Sequence, residues 1–99
     1  MLTYEQSENW KVIAGTRYMV SDQGRVRGAT GVILKQWTNT KGYLSFQVND
    51  KNLMTHREVL KAFVGDPPLK YQAAHNNGIK TDNRLDNLRW ATAKENNAD

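Results

Sequence analysis

Val59, Leu60, Phe63 and Val64 recur at helical spacing within His56-Arg57-Glu58-Val59-Leu60-Lys61-Ala62-Phe63-Val64, and Gly65-Asp66-Pro67-Pro68 stops the run. A helix this short does not repay its nucleation cost alone, so its apolar stripe has to be buried against other elements. The flanking sequence supplies short strands for that purpose. Trp10–Ile13 ends at Gly15, and Tyr18-Met19-Val20 runs into the turn Ser21-Asp22-Gln23-Gly24, with Val26 on the return. Gly31–Leu34 and Tyr43–Val48 read as strands flanking a hairpin loop, Thr38–Gly42. In the second of these, Leu44, Phe46 and Val48 alternate with Tyr43, Ser45 and Gln47, giving one apolar and one mostly polar face. Asn49–Asn52 reads as a further turn.

After the helix, Tyr71–His75 reads as a strand, Asn76–Asp86 as a long polar loop containing Gly78, and Asn87–Ala91 as a second strand. Thr92 followed three residues later by Glu95 is a capping-box pattern that opens a last helix. The expected class is α+β. No repeat, low-complexity stretch or linker divides the 99 residues, which is the size of one small domain.

The chain has no cysteine, which excludes a disulfide framework and a thiolate-based structural zinc site. No apolar run reaches the roughly 20 residues of a membrane span. Met1-Leu2-Thr3-Tyr4-Glu5 has neither the basic nor the apolar region of a signal peptide, so a cytoplasmic protein is expected. The formal charge is +4 and unevenly placed: Trp10–Arg57 carries eight Lys and Arg against Asp22 and Asp50, while from Glu58 onward six bases and six acids cancel. A basic block with interleaved Trp and Tyr points to a polyanion, nucleic acid first, and otherwise to a solvated basic surface.

Few residues are equipped for chemistry. There is no Cys nucleophile, no Gly-rich phosphate loop and no paired-carboxylate spacing. His56 opens the apolar helix and reads as a cap or packing residue. His75 ends a strand and enters a stretch, 75–97, with six Asn and two Asp. Those Asn residues could simply form Asx-turns in a long loop.

The longer pattern is more specific. His75-Asn76-Asn77-Gly78, then Asn83, Asn87-Leu88, Trp90, Thr92 and Glu95-Asn96, resembles the HNH nuclease motif of the phage and intron homing type. His56-Arg57-x-Val59-x-x-x-Phe63 resembles the helix that precedes it. Trp10-x-x-Ile13-x-Gly15-x-x-Tyr18-x-Val20-Ser21-x-x-Gly24-x-Val26 resembles the small NUMOD4-like module often fused in front. The resemblance spans residues 10–97. It implies a β-rich module over 1–52 that contacts DNA, followed over 53–99 by a ββα-metal nuclease core, the two forming one compact unit.

By the same resemblance His75 is the general base, for which an imidazole is suited near neutral pH. Asn87 is the residue that orients the loop through hydrogen bonds to backbone, and Asn96 is a metal ligand. One divalent ion, Mg²⁺ or Mn²⁺, suits such a hard amide oxygen. The implied reaction is hydrolysis of double-stranded DNA, one strand nicked per site, leaving 5′-phosphate and 3′-hydroxyl ends.

Two departures stand out. Many family members carry a metal-binding Asp just before the base histidine, where this chain has Ala74. Asn76, Asn77 or Asp82 could replace that ligand, the enzyme could need high metal, or the domain could be a silent DNA binder. The chain also stops soon after the metal helix, which leaves sequence reading to the N-terminal strands. Arg25 and Arg27, at alternate positions after a tight turn, would share a face and could enter a groove. Lys41, Lys80, Arg84 and Arg89 read as phosphate contacts. Trp10, Trp37, Tyr43 and Trp90 are expected to fill the core. The expected protein is a monomer or weak homodimer inside a phage-infected or bacterial cell. A structural accessory of a phage particle is a third, weaker reading.

Overall fold

The computed structural model describes residues 8–98; residues 1–7, within the expected 1–52 module, and Asp99 lie outside the described residues. Three small antiparallel sheets surround one helix. Strands β1 (Trp10–Val12), β2 (Met19–Ser21) and β3 (Val26–Arg27) form the first, in chain order. The turn between β2 and β3 is closed by the Ser21 hydroxyl, which accepts from the backbone N–H groups of Gln23 and Arg25, both at 3.1 Å. Gly24 completes the turn at φ +83°, a conformation costly for residues with a Cβ.

Strands β4 (Trp37–Thr38), β5 (Leu44–Val48) and β6 (Lys51–Met54) form the second sheet. The expected Thr38–Gly42 hairpin loop is present, organised by the Asn39 side-chain oxygen, which accepts from the N–H groups of Lys41 and Tyr43. Its first strand, however, is Trp37–Thr38 and not Gly31–Leu34. The 31–34 segment makes only an isolated bridge, Ile33 to Arg27, and Val32 and Ile33 are exposed. Of this run only Leu34 lies against the core, and apolar residues with no surface to cover do not hold a regular strand. Asn49 and Asp50 both have positive φ, which makes a two-residue hairpin turn of the kind that matches strand twist. Strand β6 therefore begins at Lys51, inside the segment expected to be turn, and pairs Leu53 with Phe46.

Helix α1 spans Thr55–Phe63. Val59 and Leu60 are buried as the stripe requires, and Thr55, His56 and Glu58 are buried with them. Val64, expected on the stripe, is 62% exposed because it follows the last helical residue. Helix α1 packs against β1, β2, β5, β6, β7 and β8. Ile13 just after β1, Val20 and Val26 from the first sheet, Phe46 and Val48 from the second, Val59 and Leu60 from α1, and Ala73 and Leu88 make one continuous core. The N-terminal strands and the C-terminal ββα unit are thus joined through shared apolar packing.

The ββα unit follows. Strand β7 (Tyr71–His75) pairs antiparallel with β8 (Leu88–Thr92), with Ala74 opposite Arg89 and His75 opposite Leu88. A 3-10 turn, Leu85–Asn87, takes up the end of the polar loop, so Asn87 lies in that turn and not in the strand. Helix α2 (Ala93–Ala98) starts with the expected capping box: Glu95 N–H donates to the Thr92 hydroxyl at 3.2 Å, and Thr92 N–H to the Glu95 carboxylate at 2.9 Å.

The four large aromatics are not the core. Trp37 is 40% exposed, and Trp90 only lies against the core while its indole N–H donates to Gly65 O at 2.9 Å. Aliphatic residues and Phe46 fill the interior, which leaves Trp10 and Tyr43 available as platforms for charged and polar neighbours.

Candidate active site

Strand β7 delivers His75 to the mouth of the polar loop with only 6% of its surface exposed. Its Nε2 lies 2.6 Å from Asn83 Oδ1. An amide oxygen can only accept, so Nε2 carries the proton and donates, and the lone pair is on Nδ1. Asn83 is itself buried, and its Nδ2 has no hydrogen-bond partner.

Asn87 ties the two ends of the loop together. Its Nδ2 donates to Asp82 O at 2.8 Å and to Asn77 Oδ1 at 2.9 Å, and its Oδ1 accepts from Asn77 N–H at 3.1 Å. Its backbone oxygen accepts from Asn76 N–H at 2.7 Å. Asn96 is half-buried on α2, which packs against β7 and β8.

Above His75 the rings of His56 and Tyr43 form a stack. The His56 ring lies 5.0 Å from that of His75 and 4.7 Å from that of Tyr43, nearly parallel to both. Lys80 Nζ caps the stack, 5.0 Å from the Tyr43 centroid, and donates to Lys41 O at 2.8 Å. Burial, with help from His75 and Arg57, pushes the His56 pKa down to about 4. His56 is therefore neutral, and its Nδ1 is buried with no partner.

The basic residues fall into separate groups. Lys41 and Lys80 sit together by the stack. Arg89, across the sheet from Ala74, donates to Asn76 Oδ1 at 2.6 Å. Arg84 is paired with Asp82 at 2.8 Å and faces Asp86 at 3.7 Å, and it holds the Asp82 carboxyl well below the usual carboxylate range. Arg25 and Arg27 share the Trp10 ring, at 5.6 and 4.3 Å from its centroid. Arg25 is also ion-paired with Glu8.

Asn96 carries an amide oxygen, a donor of the kind a hard divalent ion accepts. Ala74 presents a buried methyl group. The three polar side chains that could replace a carboxylate there are engaged: Asn76 by Arg89, Asn77 by Asn87, and Asp82 by Arg84. Among the described residues no group of three or more His, Cys, Asp or Glu side chains could hold a metal. What is present fits an ion held weakly and completed by water and phosphate oxygens, the habit of Mg²⁺.

From sequence alone His56 reads only as a capping or packing residue, and Asn83 has no assigned role. The signal for Asn83 was its place within the His75–Asn96 pattern. The signal for His56 was a polar residue opening an otherwise apolar stripe.

Comparison with known proteins decides the family. Residues 53–98 match the HNH endonuclease model, and residues 8–49 match the NUMOD4 motif. The chain is an HNH endonuclease domain preceded by a NUMOD4 motif. Two HNH endonucleases of Acanthamoeba polyphaga mimivirus are similar to it: one is 41% identical over 97% of this chain, the other 30% identical over 88%. The chain spans only 27% and 28% of their lengths. A solved structure on DNA binding and cleavage by the HNH homing endonuclease I-HmuI superposes with a TM-score of 0.77 at 31% identity. The match covers 91% of this chain and 56% of that one. The HNH fold, N-terminal strands followed by a ββα unit, is therefore that of a homing endonuclease. Nucleases of this family generally use a divalent metal. No helix among the described residues of the HNH chain is long and apolar enough to cross a membrane.

Proposed function

We propose that this HNH chain hydrolyses double-stranded DNA, one strand per site, inside a phage-infected or bacterial cell. The observation that carries the proposal is the 2.6 Å bond from His75 Nε2 to Asn83, which leaves Nδ1 as the basic atom of a buried imidazole. His75 Nδ1 takes the proton of a water as its oxygen attacks phosphorus. The bond from phosphorus to the 3′ oxygen breaks, leaving a 5′-phosphate and, once that oxygen is protonated, a 3′-hydroxyl. Asn87 keeps the loop beside His75 in shape. Asn96 would hold one Mg²⁺ or Mn²⁺, which supplies charge stabilisation at the scissile phosphate when bound.

Lys41 and Lys80 by the ring stack, and Arg89 against Asn76, are the proposed phosphate contacts, and positioning contacts of that kind carry no sequence information. Arg84 is the weakest of the proposed phosphate contacts, because two carboxylates already face it. Arg25 and Arg27, presented together on Trp10, are the proposed groove contacts. One base and one ion serve one phosphate, so a monomer nicks, and two-strand cutting would need a weak homodimer or two visits.

Supercoiled plasmid incubated with the protein and Mg²⁺ or Mn²⁺ tests this. Open-circular DNA should appear before linear DNA. The absence of a carboxylate at Ala74 favours a second reading, a catalytically silent DNA binder. That reading requires no nicking at any metal concentration together with binding that weakens steeply as salt rises.

A further inference from the structure

Asn83 holds His75 through one amide oxygen, yet its own Nδ2 bonds to nothing. Hydrogen bonds of the side chain alone therefore do not fix the direction of that amide. What fixes it is the backbone on which it stands, and that backbone is pressed by the β2–β3 turn of the NUMOD4 motif. A Cβ placed on Gly24 would lie 2.9 Å from the Asn83 carbonyl oxygen and 3.0 Å from its carbonyl carbon and its Cβ. Two residues on, Leu85 N–H donates to Asp22 O at 2.8 Å. The turn is rigid in its own right: the buried Ser21 hydroxyl holds it from within, and Gln36 Nε2 donates to Gly24 O at 3.0 Å from outside.

We infer that the Ser21–Gly24 turn is a positioning element of the nuclease site, which aligns Asn83 and through it the tautomer and direction of His75. The inference rests on the reading of His75 as the base. It makes this one turn of the NUMOD4 motif, Ser21–Gly24, part of the cleavage machinery. Gly24 is then required for close approach as much as for its positive φ, because any side chain there would drive Asn83 away from the imidazole.

The test is Gly24→Ala in the full chain, compared with Gly15→Ala. Gly15 has the same handedness, φ +79°, but nothing within 4 Å of an added Cβ, so it reproduces the backbone strain without the contact. Gly24→Ala should lower kcat for plasmid nicking by about ten- to a hundredfold, as small misplacements of reacting groups do, with DNA affinity unchanged. Gly15→Ala should cut at the normal rate. Nitrogen-15 shifts of the His75 ring should report a single Nε2–H tautomer in the parent and in Gly15→Ala, and a mixture in Gly24→Ala. Equal nicking rates in the two glycine variants, or an unchanged His75 tautomer in Gly24→Ala, would overturn the inference. A His75→Ala protein that still nicked would instead remove the reading beneath it, and the tautomer measurement needs no cleavage.

Discussion

The ring of His56 lies parallel to that of His75 within 17°, with 5.0 Å between centroids. Burial first, and then the neighbouring His75 and Arg57, disfavour the charged form of His56, which is kept neutral. Its pKa falls from 6.5 to about 4 on folding. The unfolded chain therefore takes up the proton first. The stability this contributes is complete above about pH 6.5 and is lost as pH falls towards 4, roughly 3 kcal/mol in all. Glu58, pushed up by burial, works in the opposite sense in the carboxylate range. Melting temperatures across pH 4–7 should show the fall in the parent protein and a much flatter profile in His56→Phe, which keeps the stack. Identical profiles in the two proteins would assign the acid sensitivity elsewhere.

His75→Ala should abolish nicking while leaving DNA affinity within a few-fold. Loss of a general base costs about 10²–10⁴ in rate, and a ring buried under His56 and Asn83 is badly placed to anchor DNA. Nicking assays and equilibrium binding without metal measure the two quantities separately. A large loss of affinity would make His75 a DNA contact and not a base.

Asn87→Ala should destabilise the fold by about 2–3 kcal/mol. It removes the partners of Asn77 N–H and Asp82 O and one of the two donors to Asn77 Oδ1, which keeps Ile79 N–H, and the three lost bonds, all part-buried, together carry that cost. Denaturant unfolding measures it. A loss under about 0.5 kcal/mol would mean that water replaces the amide freely.

Ala74→Asp should change the response to metal in two directions. Position 74 is 1% exposed, so a carboxylate there has no solvent to meet, and the variant should melt at a lower temperature than the parent in EDTA. A divalent ion would pair with the new charge, so Mg²⁺ should raise its melting temperature more than the parent's and lower the concentration needed for half-maximal nicking. Equal Mg²⁺ responses would place the ion away from β7.

Much of this was readable along the chain because it depends on neighbours in sequence. The capping box at Thr92 and Glu95, the stop at Gly65–Pro68 and the alternation in Leu44–Val48 are local patterns, and each produced its element. The order His75, Asn87, Asn96 carried the family resemblance that the HNH match bears out. Strand β6 is not legible in the sequence because Lys51 and Asn52 are polar and only pairing with β5 makes them strand. The 31–34 segment differs for the converse reason: Val32 and Ile33 are apolar but exposed, and of the run only Leu34 packs on the core.

The sequence by itself determined the kinds of groups present: two histidines, no thiol, a methyl at position 74, amides where a metal site would have carboxylates, and a basic N-terminal half. Which atom of His75 holds the proton was decided only in three dimensions, by an Asn83 oxygen across the polar loop. The neutrality of His56 was decided by its burial between Tyr43 and His75, and the seat of Asn83 by Gly24, from a different sheet. Side-chain chemistry is a property of the residue. Desolvation, tautomer and close approach belong to pairs of residues distant in the chain, and they come into being only when the shared core brings those pairs together.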